Sequence, residues 1–370
     1  MKNFIKKEIV LVIATILAII SSFISTPKIS YINFKVLILL FNLMIVIAAF
    51  KKLKVLDYIA TNLLSKCKTE KNITYTLVLI TFFSSMIVTN DVSLITFVPL
   101  TIIICNKSNI SSMKIIIFET LAANLGSSLT PMGNPQNLYI YSHFNMKLSE
   151  FLSITLPLML TSLIFILIIM RKESTKSISV SLNKPTLTDK KRCVLYSILL
   201  FIILLSVFNI INYIYTLIIT IIVIIICDKD LFLKVDYSLL LTFIAFFIFI
   251  GNISSIKPIV FFMSNALNSR INTYLISIIS SQVISNVPAT ILLSSFTSHA
   301  RELLLGVNIG GLGTLIASLA SLISYKLYVK ENESQTTDYI KKFSLYNIIG
   351  LIILIPIMYL LSCIFYRIAI

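Results

Sequence analysis

The sequence predicts an all-α polytopic membrane protein with about nine transmembrane helices, two re-entrant helical hairpins and an inverted repeat. Apolar residues make up 57% of the 370 residues and charged residues only 12%, against about 25% in a typical soluble domain. A water-soluble chain of this length cannot bury so much apolar surface in one or two cores. The charged residues also lie between long apolar runs, as expected for membrane spans separated by loops.

Composition and motifs exclude several classes of function. The net charge is +16, but basic nucleic-acid binders mix their charges into a soluble fold, so we expect no nucleic-acid partner. The five cysteines are scattered without Cys-x-x-Cys spacing, which predicts neither a disulfide framework nor a zinc site. Hydrolase, metalloprotease and phosphate-loop motifs do not occur in the sequence, so we expect no enzyme, no cofactor and no ATP-driven pump.

Apolar runs of about 20 residues, the length that crosses a bilayer, predict the spans. The first run follows a basic N-terminus as a signal peptide would, but no Ala-x-Ala-like site closes it, so we interpret it as an uncleaved span. The predicted spans lie near residues 8–26, 31–50, 113–143, 147–170, 193–209, 211–227, 236–251, 303–326 and 343–366.

Two further apolar stretches, residues 73–105 and 271–298, are too long for one span and too short for two spans with a loop. Each has helix-capping residues at its centre, Thr89–Asp91 in the first and Ser285–Pro288 in the second. We therefore predict two re-entrant hairpins, each made of two half-helices that meet at a polar tip inside the membrane.

The charge distribution supports this topology. It places 24 of the 31 Lys and Arg residues on one side of the membrane, which is the cytoplasmic side by the positive-inside rule. We expect a multi-pass protein of a bacterial cell (cytoplasmic) membrane with its N-terminus in the cytoplasm.

The order of elements recurs as an inverted repeat, an organisation typical of secondary transporters. Each half has a span, a short stretch, a hairpin, a glycine-rich span and a final span, and the halves start on opposite sides. Ser84–Asn90 aligns with Ser280–Asn286, and Asn124–Ser128 aligns with Asn308–Leu312. The predicted domains are an N-terminal span (residues 1–30), repeat 1 (31–170), a cytoplasmic linker (171–192), two linking spans (193–235) and repeat 2 (236–370).

The two tips and the two glycine-rich spans are predicted to meet near the middle of the membrane. Broken helices expose carbonyls that can ligate a cation and amide groups that can bind an anion. The glycines alone would also suit close helix packing. The side chains that would add neutral donors and acceptors are those of Asn90, Asn124, Asn286 and Asn308.

Asp91 and Glu119 are the acidic residues predicted to lie within the membrane, where a charge is costly and marks a functional site. Asp91 could bind sodium, carry a proton or only cap a helix. Glu119 could couple an ion or simply pair with Lys114. No Lys or Arg is predicted in a span interior, so we expect no fixed positive charge in the site. His143 and His299 are predicted to be solvated at the outer edges.

At these motifs the chain resembles the ion transporter superfamily of citrate transporter-like permeases. This group includes the divalent anion/sodium symporters, the arsenite permeases and one type of sodium/proton antiporter. The resemblance covers nearly the whole chain and implies an inverted-repeat transporter and a homodimer. It rests on Thr89–Val92, Asn124–Asn137, Ser285–Pro288 and Asn308–Gly311.

In the sodium/dicarboxylate members, tips that read Ser-Asn-Thr contact substrate carboxylate and sodium. By position, the resemblance implies substrate contacts at Thr89, Asn90, Asp91, Asn124, Ser285, Asn286, Val287 and Asn308. It implies one sodium site at Ser85, Thr89, Asn90 and Gly126, and another at Ser281, Ser285, Asn286 and Gly310. Asp91 and Val287 replace the third-position threonines, which argues against a dicarboxylate and favours a neutral or cation-complexed solute.

We therefore expect a secondary active transporter that moves a small anion, an inorganic oxyanion or a carboxylate, with Na⁺ or H⁺ as the coupling ion. A sodium/proton antiporter and an arsenite/antimonite efflux permease remain alternatives. A passive channel or a receptor-like membrane subunit would lack coupled uphill flux. The expected partners are a small solute or ion, the lipid bilayer and a second copy of the chain.

Overall fold

The computed structural model describes residues 8–108, 110–177 and 189–368, and in these ranges the regular structure is helical apart from one isolated bridge between Thr69 and Ser177. The all-α polytopic fold class is confirmed. The helices are α1 (Ile9–Ser22), α2 (Phe34–Lys52), α3 (Val55–Leu64), α4 (Glu70–Val88), α5 (Asn90–Ser108), α6 (Met113–Gly126), α7 (Pro135–His143), α8 (Leu148–Ile169), α9 (Lys190–Val207), α10 (Tyr213–Cys227), α11 (Tyr237–Ile253), α12 (Lys257–Ala266), α13 (Arg270–Ile284), α14 (Asn286–Ser294), α15 (Ala300–Ile309), α16 (Leu319–Glu331) and α17 (Thr336–Ile368).

The first predicted hairpin consists of α4 and α5, separated by the single residue Thr89. Thr89 has φ 75° and ψ 154°, so α4 ends there and α5 begins at Asn90. Ser84 and Ser93, on the two sides of this break, are hydrogen-bonded through their Oγ atoms at 3.0 Å. The two helices therefore turn back on each other at the tip.

The second hairpin, α13 and α14, has the same break. Ser285 has φ 73° and ψ 153°, within two degrees of the angles of Thr89. The Oγ1 atoms of Thr273 and Thr297 lie 3.1 Å apart, which brings the open ends of this hairpin together. Positive φ at a non-glycine residue costs about 1–3 kcal/mol and persists where the surrounding structure enforces it, often at functional sites.

Both glycine-rich spans are broken helices. Between α6 and α7 the chain forms two short 3-10 turns, Ser127–Leu129 and Pro131–Gly133, because proline cannot continue a regular helix. Between α15 and α16, residues 310–318 are not helical, and Gly313 has φ 107°, a conformation that favours glycine. The span predicted near 303–326 is thus spread over α15 and α16.

The number of membrane crossings stays a prediction. In the described ranges five helices are long and apolar enough to cross a membrane, or six if α11 and α12, which meet at 103°, form one span. α4 and α5 both belong to the five, so length does not distinguish a re-entrant hairpin from two crossings. Of the predicted linker, residues 178–188 lie outside the described residues, as do residues 1–7 ahead of the first span.

The packing joins the two halves around the broken helices. α4 packs against α6, and α13 packs against α15, so each hairpin contacts the broken helix of its own half. α16 also contacts α5 and α6, while α14 and α15 contact α7. α2 lies against α9 and α10, and an ion pair between Lys52 and Asp228 at 2.7 Å closes one end of this group.

Candidate functional site

Both hairpin tips are buried inside the protein. Asn90 and Asn286, the first residues of α5 and α14, are each 5% exposed. Asn90 donates from Nδ2 to Oδ1 of Asn124 at 3.3 Å, which joins the first tip to the end of α6. The backbone N–H of Asn286 donates to the carbonyl of Ala317 at 3.0 Å, which joins the second tip to the break between α15 and α16.

Asn124 connects the first half to the broken segment of the second half. Its Nδ2 donates to Oγ of Ser321 at 3.0 Å and to the carbonyl of Gly311 at 3.4 Å. Its Oδ1 accepts from Oγ of Ser318 at 2.9 Å. Because Asn124 is almost fully buried, removing this amide would leave buried polar partners unsatisfied.

Asn308 makes the reciprocal connection. Its Nδ2 donates to Oδ1 of Asn137 at 2.7 Å, and its Oδ1 accepts from Nδ2 of Asn134 at 3.3 Å. Asn134 caps α7 by accepting from the N–H of Asn137 at 3.0 Å, so these partners belong to the broken segment of the first half. The asparagine of each Asn-x-Gly segment is therefore hydrogen-bonded to the break in the opposite half.

Each of the two predicted sodium sets contains a close contact between a serine and a glycine. A Cβ built on Gly126 would lie 2.7 Å from Oγ of Ser85, and one on Gly310 would lie 2.8 Å from Oγ of Ser281. Both serines donate to carbonyls of their own helices, which leaves their oxygen lone pairs available to a cation. The structure thus brings these pairs together, and sodium binding there stays a prediction.

A cavity of about 240 Å³, which we call the tip cavity, opens at the first hairpin tip. Thr89 and Asp91 line it together with Asn134 from the break before α7, and residues of α2 and of the start of α11 complete its wall. No ion pair to the Asp91 carboxylate occurs among the residues that the structure describes. The predicted substrate contacts that do not line the tip cavity are Asn90, Asn124, Ser285, Asn286, Val287 and Asn308, all of which are buried.

The tip cavity also carries fixed positive charge. Lys51 and Lys234 line it together with Asp91 and Asp236, so the expectation of no fixed positive charge does not hold for this cavity; whether the solute binds there stays a prediction. Lys51 lies one residue before the end of α2, and Lys234 lies just before α11. Hydropathy assigns such residues to loops and cannot show that they face a cavity.

Neutralising these lysines is expected to weaken anion binding. We expect Lys51→Gln and Lys234→Gln each to raise the half-saturating anion concentration about tenfold, which corresponds to about 1.4 kcal/mol. Initial rates of uptake into liposomes at increasing anion concentration measure this effect. Lys326→Gln, at an exposed lysine outside the tip cavity, is the control. Half-saturation that does not change in either cavity variant would show that the lysines do not attract the solute.

Glu119 is fully buried on α6 and lies apart from the tip cavity. Thr101 donates to its Oε1 at 2.8 Å, whereas its Oε2 has no hydrogen-bond partner among the residues that the structure describes. The simple pairing of Glu119 with Lys114 is wrong, because Lys114 pairs with Glu173. A buried carboxylate without a cationic partner is costly in its charged form, which suits a group that holds a proton; its coupling role stays a prediction.

Several polar residues of the broken segments were not predicted. Gln282 donates from Nε2 to the carbonyls of Gly310 and Leu312 at 2.8 and 2.9 Å, and Oδ1 of Asn347 accepts from the N–H of Gly313 at 3.2 Å. These side chains satisfy backbone groups that the break leaves without helical partners. The sequence could have indicated Gln282, because it directly follows the Ser-Ser pair that recurs in both hairpins. Ser318 and Ser321 had no such signal.

Comparisons with known proteins agree with this architecture. Residues 2–301 match the family described as Citrate transporter, CitMHS. An uncharacterized transporter of Methanocaldococcus jannaschii is 39% identical over 301 residues, which cover 80% of this chain and 81% of that protein. The inner membrane protein YbiR of Escherichia coli is 33% identical over 276 residues, 73% of each chain. A shorter match, 29% identical over 127 residues, relates 34% of this chain to 23% of the putative transporter arsB of Dictyostelium discoideum.

These matches confirm the resemblance that the tip and Asn-x-Gly motifs carry. The family match covers both hairpins and the first broken helix, and it ends at the first residues of α15. The chain is a multi-pass membrane protein that belongs to the citrate transporter (CitMHS) family.

Proposed function

We propose that the protein is a secondary active transporter that moves a small anion, an inorganic oxyanion or a carboxylate, across the cell membrane coupled to Na⁺ or H⁺. The observation that carries the proposal is the reciprocal connection of the two broken helices through Asn124 and Asn308. This connection gathers both tips and both breaks into one polar centre within an otherwise apolar helical protein. Broken helices at the interface of two halves are the arrangement in which transporters bind ions and solutes.

The tip cavity offers a place for the anion. The positive end of the α5 helix dipole lies at Asn90 beside the cavity, and Lys51 and Lys234 add two full positive charges. Asp91 and Asp236 oppose these charges, so the cavity attracts an anion once a cation or proton neutralises Asp91. The positive groups do not select one anion over another, which leaves oxyanions and carboxylates both as candidates.

Asp91 supplies the coupling. Its carboxylate repels an anion that enters the tip cavity, and binding of Na⁺ or H⁺ neutralises it. The cation and the anion then favour each other's binding, which is the thermodynamic requirement for coupled transport. Alternating access would move the hairpins and broken helices against a scaffold that includes α2, α9 and α10.

The experiment that tests the proposal offers purified protein in liposomes a panel of labelled anions, with and without Na⁺ and pH gradients. The panel contains phosphate, sulfate, arsenate, citrate and succinate. We expect at least one anion to accumulate above its external concentration only when a gradient is present. Uptake that is indifferent to both Na⁺ and pH for every transported anion would refute the coupling.

A sodium/proton antiporter is the second candidate, because Asp91 has no ion pair in the described part of the chain and is open to the tip cavity. The two ions would then compete for this one carboxylate. In liposomes without any added solute, a Na⁺ gradient should drive proton flux. A strict need for a third solute removes this candidate.

An arsenite/antimonite efflux permease is the third candidate, favoured by the match to a protein named putative transporter arsB. Asp91 is compatible with this candidate, because its carboxylate would not repel a neutral solute. Deletion of the gene should then sensitise cells to arsenite and antimonite. Unchanged sensitivity, with expression of the gene verified, counts against this candidate.

The proposed setting is a bacterial cell membrane, and the positive-inside bias favours an N-terminus in the cytoplasm. A homodimer is proposed from the family resemblance. Native mass spectrometry of the protein in detergent tests it, and a monomer with full transport activity would contradict it.

A further inference from the structure

A second cavity, of about 890 Å³, lies at the other end of the helices that wall the tip cavity. We call it the far cavity. α2, α7 and α11 each line the tip cavity with residues near one end and the far cavity with residues near the other end. Examples, with the tip-cavity residue first, are Leu43 and Lys35 on α2, Pro135 and His143 on α7, and Leu239 and Phe247 on α11. The two cavities therefore lie along different parts of the same three helices.

The charge of the far cavity differs from that of the tip cavity. Lys35 and His143 line it together with tyrosine and serine hydroxyls, and none of the described residues in its wall is acidic. Nζ of Lys35 donates to Oδ1 of Asn209 at 2.6 Å, a neutral partner that leaves its positive charge uncompensated. A cavity of this size with one sign of charge raises the local concentration of small anions.

Three aromatic side chains, which we call the aromatic layer, pack together on α7 and α11, where each helix passes from residues that line the tip cavity to residues that line the far cavity. Leu138 faces the tip cavity, and the next residue, Tyr139, faces the far cavity. The ring of Tyr139 lies 5.7 Å from that of Phe247, which lies 5.9 Å from the fully buried Phe243. The hydroxyl groups of Tyr139 and Ser294 are hydrogen-bonded at 3.0 Å, so the layer reaches from α11 through α7 to the second hairpin.

We propose that the far cavity is the second mouth of the transport path, that it binds small anions at Lys35, and that Tyr139, Phe243 and Phe247 close it from the tip cavity. This inference rests on the proposed function in that it assumes a path through the protein. It depends neither on the identity of the solute nor on coupling. Two distinct steps follow, anion capture in the far cavity and opening of the aromatic layer.

Cysteine labelling tests the two mouths without knowledge of the solute. Ser295→Cys places a thiol in the far cavity and Ala48→Cys places one in the tip cavity, in chains whose five native cysteines are replaced by serine. The probes are membrane-impermeant methanethiosulfonates applied to right-side-out and inverted vesicles. We expect the two thiols to react at least about tenfold faster from opposite sides of the membrane, a difference equivalent to about 1.4 kcal/mol. Faster reaction of both from the same side would overturn the inference.

Comparing labelling reagents of opposite charge tests whether the far cavity binds anions. The negatively charged sulfonatoethyl reagent should modify Ser295→Cys several-fold faster, relative to its rate with a free thiol, than the positively charged trimethylammonioethyl reagent. Lys35→Gln should remove this preference. Lys257→Gln, at an exposed lysine outside the wall of the far cavity, should keep it. No preference in the parent, or a preference that survives Lys35→Gln, would refute the anion site.

Truncation of the aromatic layer tests the barrier. Phe247→Ala should let the reagent reach Ala48→Cys from the side of the far cavity, about tenfold faster than in the parent. Phe243→Ala, one turn away, is the second variant, and Phe262→Ala at an exposed phenylalanine is the control. Unchanged labelling of Ser295→Cys verifies folding. If neither Phe247→Ala nor Phe243→Ala speeds the labelling of Ala48→Cys from the side of the far cavity, the aromatic layer does not separate the two cavities. Labelling as expected without ion-coupled uptake would instead refute only the coupled function.

Discussion

Replacing Asp91 by Asn is expected to abolish the uphill accumulation of solute while the protein stays folded. The carboxylate lines the tip cavity and makes no ion pair in the described part of the chain. An amide is neutral at all times, so anion entry would no longer depend on Na⁺ or H⁺. We expect gradient-driven accumulation in liposomes to fall by at least about a hundredfold, equivalent to about 2.7 kcal/mol of lost coupling.

Asp230→Asn is the matched control for this change, because the side chain of Asp230 is 80% exposed and lies outside the tip cavity. It should accumulate solute as the parent does. Downhill exchange of the same labelled solute shows whether Asp91→Asn still binds and moves it. Accumulation by Asp91→Asn at the level of the parent would contradict the coupling role.

Replacing Gly126 by Ala is expected to destabilise the first broken helix and its contact with the hairpin. The added Cβ would lie 2.2 Å from the carbonyl oxygen of Phe82, a backbone atom that cannot move without displacing α4 from α6. Overpacking of this kind costs about 1–3 kcal/mol. We expect a Tm lower by several degrees in a thermal-shift assay, together with loss of transport.

Gly350→Ala is the matched control, because the atoms nearest its Cβ would be the end of the Leu312 side chain, at 3.1 Å, and the Phe165 ring, at 3.4 Å. A side-chain end can shift, and alanine is favoured over glycine within a helix. We expect this variant to keep its Tm within a degree or two of the parent. An unchanged Tm in both variants would show that α4 and α6 are not in the close contact at Gly126 that we infer.

The hairpins were predictable because the residue types at each break indicate where one helix ends and the next begins. Asn90 and Asn286 each begin a helix directly after a hydroxyl residue with positive φ. The helix-capping residues at the centre of each long apolar stretch predicted these breaks. Gly126, Pro131 and Gly310 predicted the breaks in the glycine-rich spans, because glycine weakens a regular helix and proline interrupts it.

Contacts between distant segments were not predictable from one sequence. Hydropathy assigns Lys51 and Lys234 to loops, and only the packing of α2 near the start of α11 shows that they line the same cavity as Asp91. Ser321 is one of many serines, and its bond to Asn124 depends on the crossing of the two halves. Hydropathy also could not settle the number of spans, because several apolar helices are shorter than a full crossing.

Reciprocal coupling is the most direct test of the account. In liposomes that contain the protein, the flux of the transported anion and the flux of Na⁺ or H⁺ are measured together, first with an ion gradient and then with an anion gradient alone. We expect either gradient to drive the other species uphill in the same fixed ratio, and Asp91→Asn to lose both effects. Anion flux that runs only downhill, with no accompanying ion movement, would contradict it.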